Sequence, residues 1–279
     1  MSADTMTARA VTHRTRGRRH GPITRLMSPG DLGQVLKPFV FLDLFAVESH
    51  GGPGFPPHPH SGIATVTTFL EGRMTYADST GAAGTLAGGA VEWMRAGRGV
   101  WHTGGPVPGT GPARGFQLWL ALPPEQELAE PESLYLPAEQ VAAAGPARVI
   151  LGAHEGVGSK VPAGMPVTLL HVRLRDGERW RFTPAAGQSL AWLALAAGRL
   201  RVAGQELERE LAVFAPGEGA IEVEADGAAE FLLGAGAPNP WPLVTGYYSV
   251  HTDASALEQG ERRIAELEQA PEVAALRAA

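Results

Sequence analysis

The chain has 279 residues with 23 basic and 29 acidic side chains, a net charge of −6. Its 36 glycines, 23 prolines and only 19% charged residues exclude a long helical bundle or coiled coil, while 44% hydrophobic residues are enough to fill a sizeable core. With no cysteine, disulfides, thiol catalysis and thiolate-held zinc or iron-sulfur centres are excluded, so any metal must be held by nitrogen or oxygen.

Near the start, Arg9, Arg14, Arg16, Arg18 and Arg19 form a basic stretch, read as a solvated arm leading into a first strand. From Phe39 to Leu122 short apolar segments alternate with turn residues. Strands are predicted at Phe39 to Phe45, Ile63 to Leu70, Met74 to Ala77, Val91 to Met94, Val100 to His102 and Phe116 to Leu122. Gly72 reads as the turn of a hairpin. Close spacing and few helices indicate a β-sandwich or barrel. Pro123-Pro124 then opens a Glu-, Pro- and Ala-rich connection running to about Gly145.

A second strand series follows at Val167 to Leu174, Arg179 to Phe182, Leu190 to Leu195, Arg199 to Val202, Leu211 to Phe214, Ile221 to Glu224 and Phe231 to Leu233. Leu70-Glu71-Gly72-Arg73-Met74 is echoed by Ala197-Gly198-Arg199-Leu200, each read as a glycine hairpin, which suggests two copies of one β-domain. Ser255 and Glu258 have capping-box spacing, and Leu257, Ile264 and Leu267 form one stripe of a terminal amphipathic helix that Pro271 should stop or kink. The expected division is an N-terminal domain over 1–135 and a C-terminal domain over 136–279 that carries the helix.

Three of the nine histidines stand in unusual surroundings: His58 and His60 in Gly54-Phe55-Pro56-Pro57-His58-Pro59-His60, and His102 after Gly97-Arg98-Gly99-Val100-Trp101. Residues two apart on an extended chain share a face, and Pro59 biases His58 toward the extended region. Two imidazoles are thereby aimed together, and a third from a neighbouring strand would complete a triangular metal face. The alternative is a proline-rich loop with solvent-exposed histidines. His171 reads as a satisfied interior histidine, His154 and His251 as loop residues, and His13, His20 and His50 carry no signal. Neither a phosphate-binding loop nor a G-x-S-x-G nucleophile turn is present.

The chain resembles the pirin family of the cupin superfamily. The resemblance rests on Phe41-Leu42-Asp43, Gly54 to Gly62, Phe69-Leu70-Glu71-Gly72, Asp78-Ser79, Glu92 to His102 and Gln117-Leu118-Trp119. It implies an all-β bicupin, two antiparallel β-barrels packed together with a C-terminal α-helix, and one divalent metal in the first barrel on His58, His60 and His102. Iron is the first expectation, with Ni, Cu, Zn or Mn as alternatives. The family commonly adds a glutamate two residues after the third histidine, where this chain has Gly104. Water, or a carboxylate such as Glu92 or Asp78, would then fill the gap, or the site is degraded. Gly104→Glu is expected to tighten metal retention. The counterparts of His58 and His60 in the second half fall at Pro184 and Ala186, so one metal site is expected.

The resemblance implies a metal-dependent dioxygenase of quercetinase type acting on a small chelating enol. Its alternative is a non-catalytic metal or redox sensor that binds a protein partner, as transcription-linked pirins do. A third possibility is a metal-free relative whose barrel binds a small ligand. The acidic balance argues against direct nucleic-acid binding. No apolar run approaches the ~18–20 residues that cross a bilayer, so the expected location is cytoplasmic, without a membrane partner.

Overall fold

The computed structural model describes residues 9–49 and 54–278, and antiparallel strands are its main element. His50 lies outside the described residues. The chain forms two compact units, each discontinuous in sequence. One combines residues 19–140 with 239–278; the other combines 9–18 with 141–238. The chain ends thus depart from the contiguous division expected at 135/136. The strand Val11–Thr15 adds to the second unit by pairing with Leu211–Phe214, and the terminal helices belong to the first.

In the first unit, a seven-stranded sheet runs in the order Glu132–Leu136, Val91–Arg95, Ile63–Glu71, Ala113–Ala121, Phe39–Val47, Ile23–Met27 and Arg18–His20. A four-stranded sheet runs in the order Phe55–His60, Val100–Pro106, Arg73–Asp78 and Ala83–Ala87. Phe45 and Phe69 from the larger sheet and Met74 and Leu86 from the smaller share one buried cluster, so the two sheets close over a common interior. Phe55–His60 is an edge strand, which is where Pro56, Pro57 and Pro59 are tolerated, because a proline there forfeits no ladder hydrogen bond.

The second unit is a nine-stranded sheet curled around an apolar core that includes Trp180, Phe182, Leu193, Phe231 and Leu233. Leu190–Val202 is one continuous strand, where two strands and a hairpin were expected, with register irregularities on either side of Ala197 against Ile221–Gly236. Gly72 is likewise not a hairpin turn: the strands on its two sides belong to different sheets. Gly72 (φ +78°) and Gly198 (φ +81°) are matching corners. A Cβ at either would lie 2.4 or 2.0 Å from a backbone carbonyl, of Pro112 or Ala228, so the chain turns there only because the side chain is missing. The sequence echo therefore marks a repeated barrel corner.

The terminal segment forms two helices, Ala254–Glu268 and Pro271–Ala278. Asp253, not Ser255, caps the first by accepting from the Ala256 N–H at 2.9 Å. Pro271 opens the second helix, since its missing N–H costs nothing in a first turn. Ile264, Leu267, Val273 and Leu276 cover Trp101, whose indole N–H donates to the Ile264 carbonyl at 3.1 Å. No helix among the described residues is long and apolar enough to cross a membrane.

Candidate metal centre

Strand register brings the three histidines together. His102 pairs directly with His58 across the antiparallel ladder, and Val100 pairs with His60. His60, two residues beyond His58, shares its face. The ring centroids of His58, His60 and His102 lie 4.3 to 5.1 Å apart, and the three side chains offer nitrogens all within 4.8 Å of one another. The second unit has no counterpart among the described residues: its interior is apolar.

Backbone carbonyls orient two of the rings. His58 Nδ1 lies 2.8 Å from the Pro56 oxygen and His60 Nδ1 lies 3.0 Å from the Tyr248 oxygen. An Nδ1–H held by a carbonyl leaves Nε2 with a free lone pair, the tautomer a metal requires. Buried Nε2 atoms on both His60 and His102 have no protein partner. Such a vacancy costs free energy unless something fills it, and a divalent cation suits a set of imidazole nitrogens. The residues present therefore fit the metal. Burial, with the neighbouring rings as second cause, lowers the His58 pKa to about 3 and holds that of His60 well below the usual value, so both imidazoles are neutral at pH 7.

The rings stand between two spaces. A cleft of about 420 Å³ is lined by Arg25, Phe41, Phe55, Trp119 and Tyr248 together with His58 and His60. Phe41 and Trp119 are stacked, with centroids 4.1 Å apart and planes 9° apart, and the Arg25 guanidinium lies 4.0 Å over the Phe41 ring while pairing with Asp43. On the barrel side, a space of about 40 Å³, room for a water or two, is lined by His58, His102, Glu92, Gln117, Thr67 and Gly104 among others.

Asp78 does not turn toward this space. Its carboxylate accepts from Thr80 N–H at 2.8 Å, Thr80 Oγ1 at 2.5 Å and Tyr135 O–H at 2.6 Å, which fixes the turn after Arg73–Asp78. Gly104 lines the barrel-side space, but a Cβ built on it would lie 2.6 Å from the Thr75 carbonyl. The expectation that Gly104→Glu would add a ligand has to contend with that contact, because a side chain there presses on the neighbouring strand. Met94 packs in the core with Val40 and Ile63, whereas Phe55 lines the cleft.

His251 is a buried residue where a loop histidine was expected. Ser61 Oγ lies 2.9 Å from His251 Nε2, and His251 Nδ1 lies 3.1 Å from Glu127 Oε2. Glu127 also accepts from the Thr252 N–H at 2.7 Å and hydroxyl at 2.6 Å. A Ser-His-Glu chain suggests nucleophilic catalysis, but Ser61 is 0% and His251 1% exposed, and a Cβ on Gly260 would meet both side chains at 2.5 Å. No substrate reaches it. Its effect is to anchor the segment that carries the Tyr248 carbonyl beside the strand that carries His60. His171 is an interior histidine, paired with Glu230 at 3.0 Å; His154 is buried against Trp180 and Phe182. Of the basic stretch, Arg14 binds Glu210 and Arg9 donates to the Ala215 carbonyl, both within the second unit.

Residues 21–120 match the Pirin family and residues 160–233 match the Quercetinase C-terminal cupin domain. A Pirin-like protein of Caulobacter vibrioides is 35% identical over 231 residues, 79% of this chain and 83% of its own. Among solved structures, a quercetin 2,3-dioxygenase from Acinetobacter baumannii superposes with a TM-score of 0.81 at 23% identity, covering 94% of this chain and 96% of that one. The bacterial pirin YhhW of Escherichia coli in complex with nickel(II) gives 0.65 at 22% identity, over 83% and 98%. At these identities the structural likenesses speak to the fold, a bicupin. Family sequence, cupin architecture and the histidine cluster agree, and the chain belongs to the pirin family.

Proposed function

We propose that this protein is a metal-dependent dioxygenase of quercetinase type, with His58, His60 and His102 holding one divalent ion. Iron is the first candidate, ahead of Ni, Cu, Zn and Mn. The reading is carried by one observation: two neutral, carbonyl-oriented imidazoles line a cleft of about 420 Å³ that has a stacked aromatic wall. That volume and lining suit a flat aromatic molecule bearing a chelating enol. When bound, the ion supplies Lewis-acid polarisation of the enol and redox access to dioxygen.

The protein's part is binding, orientation and exclusion of water. Trp119, Phe55 and Tyr248 supply aromatic lining to the cleft, and Phe41 backs Trp119 while Arg25 covers the Phe41 ring with its charge offset by Asp43. Gly104 occupies the position of the family's usual glutamate, so the protein is a three-histidine variant of the site. The substrate is a small molecule; nucleic acid and membrane are not partners, and the protein works in the cytoplasm. The exclusion of nucleic acid draws support from the acidic charge, and the metal and small-molecule assignments from the nickel-bound pirin and the quercetin dioxygenase in the fold comparison.

The test is oxygen uptake by iron-loaded protein given quercetin, beside metal-free protein and His60→Ala. Metal-dependent uptake lost in His60→Ala supports the dioxygenase. Stoichiometric metal without uptake refutes it and leaves the non-catalytic metal-sensing role.

A further inference from the structure

We infer that Glu92 is the carboxylate of this metal centre, acting through His102 from the opposite sheet: it fixes the His102 ring and balances one unit of the cation's charge. The inference rests on the three-histidine metal site proposed above. Glu92 sits on Val91–Arg95 of the seven-stranded sheet, paired with Thr67 and Tyr135 on either side. His102 sits on Val100–Pro106 of the four-stranded sheet. Across the interior, Glu92 Oε1 is 3.6 Å from His102 Nδ1, with each side chain 9% exposed. This is ion-pair range, longer than a hydrogen bond. Both residues line the same space of about 40 Å³ beside Gly104.

Three facts make this more than proximity. First, a carboxylate buried without a cation is costly, and among the described residues no lysine or arginine pairs with Glu92; its one neighbour at ion-pair distance is the His102 imidazole, which is charged only if protonated. Second, the rings of His58 and His60 are each turned by a backbone carbonyl on Nδ1, whereas His102 Nδ1 faces Glu92 Oε1, and the buried His102 nitrogen without a partner is Nε2. All three ligands thus present the same atom. Third, the other buried carboxylates nearby are already engaged, Asp78 by Thr80 and Tyr135 and Asp43 by Arg25. Three neutral imidazoles leave a divalent ion at +2, and Glu92 lowers the net charge of the buried assembly to +1. A carboxylate behind a metal-bound histidine raises ligand basicity and fixes the tautomer.

The test is cobalt(II) titration followed by visible absorption, with differential scanning fluorimetry of the metal-free proteins. Glu92→Gln should weaken cobalt binding about 10- to 100-fold, while the metal-free variant melts close to the wild-type temperature, since Gln conserves the volume of Glu. Glu92→Asp keeps the charge and should bind cobalt more tightly than Glu92→Gln. A role in packing alone predicts the reverse order, because Gln conserves volume and Asp does not. Cobalt affinity of Glu92→Gln within threefold of wild type, or an order in which Asp is the weaker binder, overturns the inference. Wild type that binds no cobalt overturns the metal centre itself, and the role of Glu92 with it.

Discussion

Replacing Gly104 with alanine tests how closely the metal strand is packed. The new Cβ would stand 2.6 Å from the Thr75 carbonyl oxygen, against the 3.4 Å at which ordinary contact begins, so the strands must part by about 0.8 Å. Retreat is blocked on the other side, where Gly54 is so near that a Cβ on it would lie 2.5 Å from the Gly104 oxygen. Both obstacles are backbone, which cannot swing away as a flexible side chain does. Overpacking of this kind costs about 1–3 kcal/mol, which lowers Tm by roughly 2–12 °C for a unit of this size. Because His102 is two residues away, a displaced strand also moves the third imidazole. Gly104→Ala and Gly104→Glu should therefore both melt lower than wild type, and neither should hold metal more tightly. Thermal melts and elemental analysis after dialysis give the answer. A Gly104→Glu protein with unchanged Tm and firmer metal retention would show that the side chain fits and that the close approach is not the reason for glycine.

Three further outcomes are expected. Wild-type protein purified without a histidine tag should carry close to one metal per chain and His60→Ala little; saturating metal at 100 times its Kd should add about 2.7 kcal/mol to wild-type stability only, read from denaturant midpoints. The metal-free protein should lose stability as pH falls from about 6.5 toward 3, because the folded state keeps His58 neutral down to about pH 3 while the unfolded chain takes up a proton near 6.5. Urea melts should show a slope of up to about 1.4 kcal/mol per pH unit from this group, and a slope no shallower in His58→Gln would refute that origin. Glu127→Ala removes the acceptor of three buried hydrogen bonds, each worth roughly 1.5–3 kcal/mol when charge-assisted, so a loss of at least about 3 kcal/mol is expected together with weaker metal retention; a melt within 2 °C of wild type would mean the network does not anchor the segment.

The centre was largely legible because its information is local. His58-Pro59-His60 declares a shared face through strand periodicity and proline restriction, and the strand bearing His102 needed only to lie alongside. The second ring of contacts was not legible. His251 and Glu127 are 124 residues apart, and Glu92 meets His102 across two sheets, so no spacing in the chain announces either pair. Gly72 and Gly198 were found as a repeat but misread as hairpins, because a positive-φ glycine serves a turn and a barrel corner equally well. Leu190–Val202 was divided in two for the same reason: glycine inside a strand looks like its end. The terminal helix was visible from its apolar stripe, but its assignment to the first unit depends on Trp101, a partner more than 150 residues upstream.

The discontinuous first unit imposes an order of events during synthesis. His58, His60 and His102 leave the ribosome well before the carbonyl of Tyr248 that orients one of them, and Trp101 emerges long before the helices that shelter it. A nascent chain halted near residue 140 displays the ligands on an unfinished wall, with an indole bare to water. The three-imidazole pocket is thereby completed only once translation has passed the region around His251, the segment that brings the Tyr248 carbonyl to His60.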